Sequence, residues 1–192
     1  MNQIGNTKDQ IMEKASELLT RHGYKGFSYR DISTHLGVKN AAIHYHFPTK
    51  ADLALALVED YHQLLRRRTA EFMAYGGSAQ AQLEGLFSFT RSQFCKGHCI
   101  CPMGAFSVDY EELPEAVQKA TAKFLEDSTI WLTRVLEIGR SQKEFEFEGD
   151  PRTRALAILA TLQGGRQIAR VGGQEMLERI VTEIRQDLNL ST

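Results

Sequence analysis

Two stretches of this 192-residue chain bring chemically capable side chains together at close spacing. In the first, Asn40, Ala41, His44, Tyr45 and His46 fall within seven residues that contain a single large aliphatic side chain, Ile43. Small residues let a helix approach another surface closely, and amide, imidazole and phenol groups meet base edges or phosphate. The pattern therefore suits a helix lying in the major groove of DNA. Its plain alternative is a tight helical hairpin in a larger bundle, with His44 and His46 as solvated surface residues. In the second stretch, Cys95, Cys99 and Cys101 stand beside Lys96 and His98. Positive charge there would favour thiolate and reaction with an oxidant or electrophile, making the cluster a candidate thiol sensor; inert buried thiols are the alternative. A metal site built from Cys95, His98, Cys99 and Cys101 lacks the two-pair ligand spacing of structural zinc. A cysteine nucleophile beside His98 lacks an orienting carboxylate at a recognisable spacing, so the chain does not read as an enzyme.

The elements around the first stretch form a helix-turn-helix. Ser28 heads a short helix with Asp31 three residues on, a capping pattern, and Ile32 and Leu36 share one face. Gly37 permits the left-handed turn that ends it, and Val38 plugs the turn. A second helix over about Asn40 to Phe47 stops before Pro48. Upstream, a helix from about Lys8 to His22, with Thr7 as cap and Gln10 completing a capping box, carries the apolar stripe Ile11, Ala15, Leu18 and Leu19.

The run GVKNAAIHYHFPTKADL resembles the recognition helix and following linker of the TetR family of bacterial one-component transcriptional regulators. The resemblance extends upstream through IMEKASELLTRHGYKGFSYRDIS and covers about residues 7 to 60. One departure is that Lys39 stands where the family often has Ser or Thr, and Asn40 where it often has Lys. Asn40 is then expected to cap the helix and Lys39 to reach phosphate. The resemblance implies a repressor that binds a palindromic double-stranded DNA operator as a homodimer and is released by a small molecule. The DNA-binding residues expected are Ser28, Tyr29, Arg30, Lys39, Asn40, Ala41, His44, Tyr45, His46 and Lys50. Of these, Asn40, Ala41, His44 and Tyr45 would face bases, while Ser28, Tyr29, Lys39, His46 and Lys50 would hold phosphate.

Beyond Pro48, Thr49 caps a long helix to about Tyr75 that would serve as a rigid connector, with the solvated arginines 66 to 68 along it. Further helices are expected over Ser78 to Lys96, from near Pro102, over Leu113 to Gln142, over Asp150 to Val171 and over Gln174 to Leu188. No strand-like alternation or repeat occurs, so the fold class is all-α with about nine helices. The organisation expected is a helix-turn-helix domain over 1–48 and a helical effector-binding and dimerisation domain over 49–192.

The last two helices carry more apolar positions than one core requires, and Gly164 and Gly165 would let helices pack closely; the resemblance points to a dimer interface there. An effector pocket, also implied by resemblance, would be lined by Phe87, Phe94, Met103, Phe106, Phe124, Trp131 and Leu162. Gln163 and Arg166 would orient a hydrophobic or aromatic ligand in it. The segment CPMGAF resembles a Cys-Pro-Leu-Gly-Ala run in part of the family, which implies that Cys101 packs near that pocket. A second reading keeps the fold and makes the protein a DNA-scaffolded interaction factor that recruits a protein partner. No cofactor is called for.

Composition is that of an ordinary globular protein, 42% hydrophobic and 24% charged. The formal net charge of -1 hides an asymmetry. Residues 1–68 hold 10 Lys and Arg against 7 Asp and Glu, and residues 69–192 hold 13 against 17. Positive charge thus collects where DNA would lie. With no apolar run long enough to span a bilayer and no signal-like start, a cytoplasmic location without membrane contact is expected.

Overall fold

The computed structural model describes residues 6–74, 77–95 and 100–190, with the side chain of Cys95 outside that set. Among the described residues the chain is helical throughout, with no strand. The helices are α1 (Thr7–His22), α2 (Tyr29–Leu36), α3 (Asn40–His46), α4 (Lys50–Ala74), α5 (Ala79–Cys95), α6 (Pro102–Val108), α7 (Glu115–Ser141), α8 (Pro151–Gly172) and α9 (Gln174–Asp187). A single 3-10 turn over Tyr110–Glu112 joins α6 to α7. No helix among the described residues is long and apolar enough to cross a membrane.

The chain forms two compact units. One comprises Met1–His62 and Cys101–Phe124, the other Gln63–Ile100 and Leu125–Thr192. The helix-turn-helix unit therefore extends past residue 48, taking in the first turns of α4 together with α6 and the start of α7. In that unit α1 packs against α2, α3 and α6. Its buried side chains include Ile11, Ala15 and Leu19 from α1, Ile32 from α2, Ile43 and Phe47 around α3, and Leu53, Leu57 and Val58 from α4. Each is an apolar position at helical spacing, and each fully buried large side chain contributes roughly 1.5–3 kcal/mol.

Helix ends follow local chemistry. The cap of α1 is Asn6, whose side chain accepts from the Lys8 amide at 3.3 Å, rather than Thr7, which is already helical. Thr49 and Asp52 make the reciprocal box expected at α4: the Asp52 carboxylate accepts from the Thr49 amide at 2.9 Å, and the Asp52 amide donates to Thr49 Oγ1 at 3.2 Å. Asp150 accepts from the Thr153 amide at 2.8 Å and, with Pro151 in the first turn, opens α8.

In the second unit, Phe87, Leu132, Leu136, Phe145, Ile158, Leu162, Val181 and Ile184 belong to one buried cluster, with Trp131 packed against it. A second small cluster joins Phe94, Ala169 and Leu177. The paired glycines of α8 do different work. A Cβ on Gly165 would lie 3.1 Å from the Ile180 side chain, so Gly165 allows α8 to close on α9, whereas a Cβ on Gly164 would meet nothing within 4 Å.

Candidate nucleic-acid interface

The turn between α2 and α3 is built by its sequence. The Asp31 carboxylate accepts from both the amide and the hydroxyl of Ser28 at 2.7 Å, and these bonds hold the carboxyl below its ordinary range. Gly37 takes the left-handed conformation at φ +67 and its amide returns to Ser33 O, closing α2. Asn40 is the first helical residue of α3 and Lys39 occupies the cap position without a side-chain cap bond. The expected cap by Asn40 is therefore not made, and its side chain is left for another partner.

This geometry sorts the ten expected residues. Arg30, Lys39, Asn40, Ala41, His44 and Tyr45 are all exposed on α2 and α3. Tyr45 is 84% exposed and its ring meets the half-buried His46 edge-on at 5.1 Å. His44 Nδ1 lies 3.1 Å from Pro48 O. A carbonyl only accepts, so Nδ1 carries a hydrogen and Nε2 remains for a base or phosphate. Ser28 is exposed but its hydroxyl serves Asp31.

The other two turn inward. Tyr29 is 9% exposed; its hydroxyl is shared between Phe47 O at 2.8 Å and Thr49 O at 2.5 Å, and its ring meets His44 edge-on at 4.8 Å. Burial, with smaller contributions from Asp52 and Tyr24, pushes the phenol up to about 12. Lys50 donates from its ammonium to the carbonyls of Tyr24 and Phe27. The single hydroxyl hydrogen of Tyr29 and two of the three ammonium hydrogens of Lys50 are thus engaged by backbone carbonyls.

One cation outside the sequence-derived set belongs near α3. Lys8 holds its ammonium 5.7 Å from the centre of the Phe47 ring, at the C-terminal end of α3. The two are 39 positions apart, and no local pattern relates them.

The nine expected pocket residues divide between the units. Phe87, Phe94, Trp131, Leu162, Gln163 and Arg166 lie in one, and Met103, Phe106 and Phe124 in the other. Phe106 meets Tyr24 at 6.4 Å and Phe124 meets His62 at 5.7 Å, while Phe87 and Leu162 belong to the larger buried cluster. The indole Nε1 of Trp131 is buried with no hydrogen-bond partner. A cleft of about 230 Å³ runs along α8 and α9, lined by Arg154, Ala157, Ile158, Thr161, Ile180, Glu183, Ile184, Asp187 and Leu188; none of the nine is among them.

Of the cysteine cluster, Lys96, His98, Cys99 and the Cys95 side chain lie outside the described residues. Cys101 is a half-buried free thiol at the cap position of α6.

Known proteins resemble the chain over nearly its whole length. A family model described as bacterial regulatory proteins of the tetR family matches residues 11–57, and one described as a tetracyclin repressor-like C-terminal domain matches residues 80–184. A TetR-family transcriptional regulator from Agrobacterium tumefaciens is 31% identical, with a TM-score of 0.89 over 94% of this chain and 96% of that one. A TetR transcriptional regulator from Legionella pneumophila is 29% identical, with a TM-score of 0.87 over 97% and 100%. The HTH-type transcriptional regulator LmrA of Bacillus subtilis is 23% identical over 171 residues, 84% of this chain and 85% of that protein.

Proposed function

Since the chain belongs to the tetR family of bacterial regulatory proteins and is a transcriptional regulator rather than an enzyme, we propose that it is a homodimeric repressor released from a palindromic operator by a small molecule. The observation that carries the DNA reading is the outward face of α3. Asn40, Ala41, His44 and Tyr45 are exposed together on a helix held from behind by Ile43, Phe47 and Tyr29. Outward side chains on a rigidly backed helix, with His44 oriented by Pro48 O through Nδ1 and its Nε2 left over, are what base readout needs. Lys39 and Arg30 flank them as phosphate contacts, and Lys8 adds positive charge.

Dimerisation is supported by α8. Ala157, Ala160, Thr161, Gly164, Ile168 and Val171 recur at helical spacing along one side, and all are exposed except the half-buried Gly164. Small residues permit close approach and the two large ones supply apolar area, an arrangement suited to a symmetry-related helix. Two α3 helices would then reach successive major grooves about 34–36 Å apart. The effector is a hydrophobic or aromatic small molecule, bound in the helical region beyond the helix-turn-helix. It acts by preferring a dimer geometry that α3 cannot use on DNA, which asks for a coupling of only about 1–3 kcal/mol. A cytoplasmic location follows from this role.

Selection of bound sequences from random duplex DNA by the purified protein tests the reading. The expected result is one palindromic motif, with Tyr45→Ala weakening its binding by about 1–3 kcal/mol and relaxing preference at one position per half-site. Scattered sites with no shared motif would sink it and favour the DNA-scaffolded interaction factor.

A further inference from the structure

The loop between α1 and α2 is gripped from two sides by residues outside the helix-turn-helix. On one side Lys50, the first residue of α4, donates to the carbonyl oxygens of Tyr24 and Phe27. Its ammonium also lies over both rings, 4.6 and 4.4 Å from their centres. On the other side Asp109, just past α6, accepts the Lys25 amide on Oδ2 at 3.2 Å. The chain approaches that same oxygen so closely that a Cβ on Gly23, at φ +78, would lie 3.2 Å from it. Glu112 pairs with the Lys25 ammonium, and Phe106 of α6 rests against the Tyr24 ring. The two grips also sense each other, because the charge of Asp109, with that of Asp31, opposes the burial that lowers the Lys50 ammonium. Of the five loop residues only Phe27 is buried, while Lys25 and Gly26 are exposed, so these contacts are what orders the backbone leading into α2.

We propose that Asp109 and Lys50 are positioning residues for DNA binding: by clasping the Gly23–Phe27 loop from α6 and from α4, they fix where α2 and α3 stand within their unit. The inference rests on the DNA-reading role of α3 proposed above. Lys50 then contributes no phosphate contact. Removing a phosphate contact releases fewer counterions and lowers the salt slope of binding by about one unit, whereas removing a positioning residue weakens binding at constant slope.

The test uses the full chain and the duplex it selects from random DNA. Asp109→Ala should weaken binding roughly tenfold, as expected for losing a charged acceptor. The slope of log Kd against log salt should stay as in the wild type, and the amides of residues 24–27 should exchange faster. Asp109→Asn, which keeps an acceptor for the Lys25 amide, should stay within about threefold of the wild type. Lys50→Met should weaken binding without changing the slope; if that variant fails to fold, Asp109→Ala, at a half-buried surface position, carries the test. A slope lower by about one unit in Lys50→Met returns Lys50 to the phosphates and overturns its part. Unchanged affinity in Asp109→Ala overturns the clasp, and a loss in Asp109→Asn equal to that in Asp109→Ala overturns the backbone grip. A wild-type chain that selects no sequence overturns the DNA-reading role itself and the positioning claim with it. A wild type that selects and an Asp109→Ala that binds equally well overturn the clasp alone.

Discussion

Tyr29 and Tyr45 are the same residue type sixteen positions apart in one motif, and the fold gives them opposite duties. Tyr45 is 84% exposed while Tyr29 is 9% exposed and serves the carbonyls of Phe47 and Thr49, where α3 ends and α4 is about to begin. Removing that hydroxyl leaves two carbonyls short of a donor, which costs roughly 1–3 kcal/mol. Tyr29→Phe should therefore lower the unfolding midpoint in denaturant at neutral pH while keeping the selected operator sequence. It should also remove a pH dependence. The folded phenol titrates near 12 rather than the ordinary 10, principally because it is buried. A raised acid contributes stability that is fully present below about pH 10 and is lost as pH rises toward 12. Denaturation series from pH 9 to 12 should show a steeper alkaline loss for the wild type than for Tyr29→Phe; parallel curves would place the alkaline sensitivity elsewhere. No sequence pattern separates the two tyrosines, because the acceptors of Tyr29 lie eighteen and twenty residues downstream. Lys50 is opaque for the same reason, since the two carbonyls its ammonium meets belong to Tyr24 and Phe27, far upstream in the chain.

The helices themselves were legible because their signals are local. Apolar spacing, Gly37, Pro48, Pro151 and the Thr49–Asp52 box each sit within a turn or two of the boundary they set, and the observed ends fall within a few residues of those expected. The misses were contests between adjacent candidates, such as Asn6 against Thr7 as the cap of α1, or features as short as the 3-10 turn after α6. What the spacing does not carry is the partner of each face. Phe87, Phe94 and Phe106 are all buried apolar positions, yet Phe87 lies in the large cluster, Phe94 in the small one and Phe106 in the other unit. The end of α7 shows the same rule at a glycine. Gly139 looks like any weak helix residue, but a Cβ there would lie 2.2 Å from the ring of Phe145, which is 3% exposed and turns back onto the helix. Gly139→Ala should therefore destabilise by about 1–3 kcal/mol through overpacking, despite alanine's better helix propensity. Gly149→Ala, at φ +88 in open space, is the comparison: its penalty is backbone strain of about 1 kcal/mol. Equal losses in thermal unfolding would remove the argument from Phe145.

A chain with a formal net charge of -1 has little general attraction for DNA, so affinity has to come from local positive charge presented twice and in register. Doubling the contact through a rigid partner converts the second half-site into an intramolecular event and multiplies affinity by roughly 10² or more without new side chains. The α8 stripe is where that doubling is proposed to occur, and Ile168, 55% exposed toward its C-terminal end, is the side chain to test. In a lone subunit, Ile168→Glu exchanges an exposed apolar group for a charged one and leaves the fold and thermal midpoint nearly unchanged. In a dimer packed through α8, it buries two unpaired carboxylates across the two-fold axis, each penalised by several kcal/mol. The expected outcome is a monomer by equilibrium sedimentation at micromolar protein. That monomer should bind the full palindrome with about the affinity of a single half-site, and with about half the wild-type salt slope, since half the phosphates are engaged at once. A dimer of unchanged stability would place the interface on another face of the helical unit. A monomer that keeps the full operator affinity and slope would mean that one subunit alone makes the phosphate contacts, and the paired-helix reading would fail.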